Sequence, residues 1–164
     1  MEAAETVFAR DGLDAPVPAI AAEAGAGVGS VYRAFASKDE LISALAVERL
    51  QWFTREADAA LSGADPAGAL EAVLRAVVER DSRDRVLSSA LETAFERPEV
   101  APVRAEAMEA CERLLARAAE AGRARDDVTP DDVRLLLVGT RAAERVSPGA
   151  GERLLELTLS GLSG

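Results

Sequence analysis

Apolar positions recur along this chain with a helical period almost from end to end. Between residues 99 and 121, Val100, Val103, Ala107, Cys111, Leu114 and Ala118 step by three or four, and Met108 and Leu115 widen the stripe. That spacing defines one face of an α-helix. No segment carries the period-two alternation of a half-buried strand. Starts are marked as clearly as faces. Ser37 followed by Glu40 predicts an N-cap with a capping box. Asp65-Pro66, Thr129-Pro130 and Ser147-Pro148 each predict a cap followed by a proline, which the first helical position tolerates because its N–H has no partner there anyway. Gly12, Gly25, Gly63 and Gly122 follow periodic segments and mark stops. The pattern predicts an all-α chain of about nine helices, near residues 2–11, 17–24, 28–35, 38–62, 66–82, 84–96, 99–121, 130–145 and 149–162. Short helices give way to longer ones near residue 47. The expected organisation is a three-helix unit over 1–47 and a helical bundle over 48–164, sharing the long fourth helix.

Composition narrows what such a protein does. Hydrophobic residues are 49% of the 164, enough for a sizeable core, and aromatics are only 4%, so Ala and Leu must fill it. The net charge of −10 repels polyanions at long range, so any nucleic-acid binding has to be local. There is no histidine. That removes the commonest general base and metal ligand, leaves Ser and Asp residues without a triad partner, and predicts neither an enzyme nor a metal or cofactor site. The run from Arg125 to Asp132 lacks the glycine and terminal glutamate of a calcium loop and is explained by helix capping. A single cysteine, Cys111, allows no intrachain disulfide and is expected to act as a small buried hydrophobe. The absence of a basic-then-apolar leader, and of any apolar run near ~20 residues, predicts a cytoplasmic protein that does not enter membranes.

Residues 17–35 hold the most specific pattern. Ile20 and Ala21 face a core, Ala24-Gly25-Ala26 turns, and Val31 and Phe35 resume the core face at i, i+4. Two short helices joined by a glycine-containing turn are a helix-turn-helix candidate, with the start of the second helix at base edges in a major groove. Gly29 permits close backbone approach there, Ser30 and Tyr32 offer hydroxyls, and Arg33 and Lys38 offer charge. Three bases against seven acids within 1–47 leave this unit at −4, the opposite sign to that expected of a phosphate-binding module.

The runs "FARDGLDA", "IAAEAG" and "GSVYRAFASK", leading into a long fourth helix, resemble the DNA-binding region of the TetR family of transcriptional regulators. The resemblance covers residues 3 to about 47. It implies an N-terminal helix-turn-helix, a helical ligand-binding and dimerisation domain, and a homodimer on double-stranded DNA with a palindromic operator. Carried over by position, it implies phosphate contacts from Ser30, Tyr32 and Lys38, base-edge approach by Val28 and Gly29, and a further DNA contact from Arg33. Val28 has the right chemistry to meet a thymine methyl. Two features depart from the family pattern. The chain starts inside the usual first helix without a basic arm, which implies a trimmed start or a weak grip. Ala34 stands where a polar residue is common.

Two expectations concern the rest of the chain. Met108, Cys111 and Arg104 on the seventh helix, with Trp52 and Phe95, are candidate walls of a mostly apolar cavity among the fourth to eighth helices, fit for a small apolar effector; Arg104 is expected to face solvent, with service to an anionic group as the alternative. The last two helices are apolar on more faces than one chain can cover. Leu136, Gly139, Leu155, Leu159 and Leu162 are the expected face of a two-fold dimer built as a four-helix bundle. The expected function is a repressor that a lipophilic effector releases from DNA. The alternative is a helical dimer that binds a small molecule or a protein and carries a degenerate head.

Overall fold

The computed structural model describes residues 1–162, and side chains as far as residue 161. The described residues form nine α-helices and no strand: α1 Glu2–Asp11, α2 Val17–Glu23, α3 Val28–Ala34, α4 Lys38–Leu61, α5 Ala69–Arg83, α6 Arg85–Phe95, α7 Ala101–Glu120, α8 Pro130–Val146 and α9 Ala150–Leu162. Two 3-10 turns, Pro66–Gly68 and Pro98–Val100, lead into α5 and α7. The candidate side chain of Leu162 lies outside the described residues.

The expected starts hold with two changes. Ser37 caps α4 by accepting from the Glu40 N–H at 3.1 Å, but the Glu40 carboxylate reaches one residue further back, to the Ala36 N–H at 2.6 Å. Thr129 and Asp132 close a full capping box on α8. Ser147 and Pro148 do not start α9. Ser147 ends α8, and Gly149 turns the chain with φ +82°. The first N–H groups of α9 are served by Glu144 of α8, which accepts from Gly149 at 3.0 Å and Gly151 at 3.1 Å. A buried carboxylate at a helix N-terminus both caps it and complements its dipole.

Apolar burial falls into two clusters. The first joins Val7 and Phe8 of α1, Ile20 of α2 and Leu41 and Leu45 of α4 to Leu87, Leu91 and Ala94 of α6. The head therefore shares its core with α6. The second joins Val73, Leu74 and Val77 of α5, Cys111, Leu114 and Leu115 of α7, Val133 of α8 and Leu155 of α9. Only α4 runs the full distance between them, contributing Leu41 and Leu45 to one and Ala57 to the other. A rigid 24-residue helix spanning both cores is a lever from one to the other.

Candidate DNA-reading head and ligand cavity

The head is built so that α3 is free. Gly25, at φ +61°, makes the turn after α2 in a conformation that a side chain disfavours. Gly27 caps α3, its carbonyl accepting from the Ser30 N–H at 2.8 Å. All seven residues of α3 are half-buried or exposed, with Val28 40% and Tyr32 52% accessible. Val31 is half-buried, and Phe35, just past the helix end, packs against the core. An apolar residue and a large aromatic left open on a helix without acids need another surface to meet. Arg33 donates to the Ser30 Oγ at 3.0 Å, which joins two candidate contact groups on one face. Lys38 sits differently from Tyr32 and Arg33. It is half-buried at the start of α4, its ammonium 5.7 Å from the centroid of the buried Phe8 ring.

Part of the acidic count of the head is offset by bases from outside it. Asp11 and Glu23 pair with Arg10. Asp39 pairs with Arg97, and Glu5 with Arg80, both bases from outside the head. Glu40 is spent on the α4 cap. Arg10 holds the Asp11 carboxyl below its ordinary range by a hydrogen bond and its charge. α3 itself carries one charged side chain, Arg33, and Lys38 follows at the start of α4.

The second feature is a cavity of about 230 Å³ between α4, α5, α6, α7 and α8. Trp52, Phe95, Arg104, Met108 and Cys111 all line it, together with Phe53, Val133 and Leu137. It borders the exposed Glu96 and Arg134. Arg104 is already occupied, donating to the Phe95 carbonyl at 2.7 Å and to Glu96 at 2.8 Å. Burial pushes the Cys111 thiol up to about 12, aided by the nearby Glu112 charge, so it stays neutral. A second hollow of about 310 Å³, between α5, α7, α8 and α9, adjoins Gly161 at the end of the described chain.

One wall of the first cavity is ionic. Asp81 of α5 accepts from Arg49 of α4 at 2.9 Å, from Ser88 of α6 at 2.9 Å and from Arg141 of α8 at 2.7 Å. Arg141 also approaches Glu92 of α6 at 3.5 Å. Asp81 and Arg49 are buried, and burial pulls the Arg49 guanidinium down, helped by the Arg80 charge. Sequence reasoning missed this wall. Its signal was present: Arg49 follows Leu45 by four, Asp81 follows Val77 by four, and Arg141 follows Leu137 by four, each placing a charge on a core-facing stripe.

The sequence over residues 1–45 matches the family described as bacterial regulatory proteins, tetR family, and residues 65–164 match the C-terminal domain described as transcriptional regulator SbtR-like. The chain belongs to the TetR family of transcriptional regulators. Among solved structures, it is similar to a TetR transcription regulatory protein from Mycobacterium vanbaalenii, 32% identical over 98% of this chain and 90% of that one, with a TM-score of 0.71. A TetR transcriptional regulator from Streptomyces coelicolor is 31% identical over 98% and 94%, with a TM-score of 0.75. SmeT, the repressor of the Stenotrophomonas maltophilia multidrug efflux pump SmeDEF, is 25% identical over 98% and 86%, with a TM-score of 0.63. None of the curated proteins matches significantly.

For a TetR protein the last two helices are the natural place to look for a partner copy, and here one expected residue needs correcting. Leu155 is fully enclosed by its own chain, in the core with Leu74 and Leu114. It cannot present itself to a partner without opening that core. Leu136 and Leu159 are half-buried against the same core. The large apolar side chains left open on the described part of α8 and α9 are instead Leu135, 59% accessible, Val146 at the end of α8, 87% accessible, and Leu157, 54% accessible. Gly139 faces Leu154 at ordinary contact distance. The close approach of α8 to α9 is made by Gly151, where a Cβ would lie 2.8 Å from the Thr140 carbonyl. No helix of the described residues is long and apolar enough to cross a membrane, and these residues contain no group of three or more metal-ligating side chains.

Proposed function

We propose that this TetR-family regulator is a homodimeric repressor, with a head over 1–47 that reads a palindromic operator and a body over 48–164 that binds a small, largely apolar effector. The observation that carries the reading is α4. Its first residue, Lys38, follows the end of α3 by four residues, and fourteen residues later Trp52 lines the cavity. A molecule entering the cavity pushes on the same rigid helix that positions the reading helix.

Val28 and Gly29 would meet base edges, Ser30, Tyr32 and Lys38 phosphates, and Arg33 either. Two reading helices in a dimer need a separation of about one turn of DNA, ~34–36 Å. A small tilt of each α4 spoils that spacing, and the effector acts by its difference in affinity for the two arrangements. Leu135 and Leu157, with the half-buried Leu136 and Leu159, would supply the dimer face. The cytoplasm, where DNA is met, is the expected site of action.

Footprinting on the DNA flanking its own gene tests the reading. The expected result is one protected region containing two inverted half-sites about a helical turn apart, with protection lost when a compound that alters Trp52 emission is added. Uniform weak coverage with no protected palindrome would favour the alternative of a helical binding module with a degenerate head.

A further inference from the structure

The ionic wall of the cavity leaves one edge of one residue unsatisfied. Arg49 has a side chain that is 7% accessible, and its Nη1 donates to Asp81. Its Nε and Nη2 are sealed, and no described residue accepts a hydrogen bond from them. These two groups form the edge of the planar guanidinium that grips a carboxylate through two parallel N–H···O bonds. Buried donors of a charged group are rarely left without acceptors. Nη2 faces Glu5 of α1, whose Oε1 stands 3.8 Å away, too far for a hydrogen bond. The same Oε1 accepts from Arg80 at 3.1 Å. Arg80 in turn rests on the ring of Trp52, which lines the cavity. One carboxylate of the head thus stands between two guanidiniums, bonded to one and about 1 Å short of the other. Burial first, and then the Arg80 charge, pull the Arg49 guanidinium down, so the two cations crowd the same anion.

We propose that Glu5 is a positioning residue that passes between these two arginines, and that occupancy of the cavity decides which of them holds it. Bound to Arg80, it fixes α1 where the structure shows it. A molecule that lies against Trp52 and turns its ring takes away the surface on which Arg80 rests. Glu5 then moves by about 1 Å onto the unpaired edge of Arg49 and supplies both donors there with an acceptor. The exchange leaves no charge stranded. Arg49 keeps Asp81 throughout, and Arg80, 23% accessible in its side chain, is hydrated when released. α1 follows Glu5. Val7 and Phe8 of α1 share a core with Ile20 of α2, so the reading unit shifts with it. The proposal rests on the reading of the cavity as the effector site, and adds a second route, beside α4, by which occupancy reaches the head. It requires no contact between the effector and Arg49.

The test reads amide hydrogen exchange in α1 of the full chain. Trp52→Leu removes the ring under Arg80 without any ligand. It should slow exchange of the α1 amides at least threefold while lowering the melting temperature, because Glu5 is then held by two bonds instead of one. Lost packing alone would speed exchange. Glu5→Gln in the Trp52→Leu background should abolish the slowing, and a crystal structure of Trp52→Leu should place Glu5 within about 3.2 Å of both Nε and Nη2 of Arg49. Glu5 still on Arg80, with α1 exchange unchanged or faster, would overturn the proposal. A second arm uses octanol as an apolar probe of fitting size, since a cavity of about 150 Å³ holds benzene and this one is about 230 Å³. Trp52 is the sole tryptophan, so its emission reports binding without a label. Octanol should slow α1 exchange in the wild type. In Glu5→Gln it should bind within twofold of wild type and leave α1 unchanged. An equal α1 response in both proteins would route the signal through α4 alone and overturn the role of Glu5. No emission change with octanol, alongside the slowing in Trp52→Leu, would count against the effector-site reading and leave the exchange of Glu5 between the arginines standing. The octanol comparison decides the matter if Trp52→Leu does not fold.

Discussion

Arg80 lies over the ring of Trp52, its guanidinium carbon 4.8 Å from the ring centroid. The same side chain donates to Glu5 of α1 at 3.1 Å. A cation–aromatic contact on the cavity wall and an ion pair on the first helix of the head are thus two ends of one residue. Arg49 repeats the arrangement one turn earlier on α4, tied to Asp81 at 2.9 Å and facing Glu5 at 3.8 Å. Any ligand that displaces Trp52 changes what holds α1.

Arg80→Met keeps a long side chain over Trp52 and removes the charge that holds Glu5. The expected outcome is a shift of Trp52 emission and an effector-induced loss of operator affinity reduced at least threefold. Anisotropy of a labelled operator, with and without effector, measures the loss. Unchanged effector response would remove Arg80 from the coupling.

Asp81→Asn leaves Arg49 and Arg141 without their shared counter-charge. Removing one member of a buried ion pair costs about 3–5 kcal/mol. For a chain of this size that lowers the melting temperature by about 10 °C or more. Arg83→Ala, which breaks only the exposed pair with Glu79, should move it by about 1 °C or less. Thermal melts that fall equally for the two variants would contradict the assignment of Asp81 as the hub of the wall.

Leu155→Ala and Leu157→Asp separate core from interface. Leu155→Ala opens a cavity in a filled core and should cost about 2–5 kcal/mol with association unchanged. Leu157→Asp should give monomers in sedimentation velocity, with a melting temperature set by its own folding. A wild-type protein that sediments as a monomer at micromolar concentration would contradict the dimer.

Lys38→Met keeps an unbranched side chain beside Phe8 and removes the ammonium that lies 5.7 Å from its ring centroid. If Lys38 contacts a phosphate in each head, the slope of log affinity against log salt falls by about 0.9 per head, about 1.8 for a dimer. Val28→Thr should leave that slope alone and change which base is preferred. An unchanged slope for Lys38→Met would take Lys38 off the contact surface.

Cys111 should resist thiol reagents. Burial raises its pKa from 9.0 to about 12, so almost no thiolate exists in the folded protein at pH 8. The neutral thiol favours folding fully below the unfolded value; that contribution is lost as pH climbs from 9.0 towards 12, where the unfolded thiol ionises first. A disulfide reagent at pH 8 should therefore label the protein only as fast as it opens, and an effector in the cavity should slow labelling further. Stoichiometric labelling within seconds of mixing would contradict the burial.

The helices were legible because capping residues and apolar stripes are local signals. Thr129, Pro130 and Asp132 fix a helix start whatever surrounds them. The cavity residues on α7 were legible for a related reason: Met108 and Cys111 share one stripe, and α7 has neighbours on that side from α4 to α8. What escaped was tertiary. Nothing near Ser147 says that Glu144, on the helix before, will cap α9 in its place. Leu155 and Leu157 carry the same side chain two residues apart, and only the rotation of α9 against α5 decides that one is enclosed and the other open. The ionic wall was readable as charges on core stripes, but not as one wall, because Arg49, Asp81, Glu92 and Arg141 come from four helices.

Sequence-specific reading of DNA through α3 by so acidic a protein is the property on which the repressor proposal stands. Anisotropy titrations on fragments flanking its own gene, against scrambled fragments of equal length at 150 mM salt, test it most directly. One fragment is expected to bind at least about a thousandfold more tightly than its scrambled counterpart, with Tyr32→Ala weakening both. Equal affinity for both, with no effect of Tyr32→Ala, would contradict it.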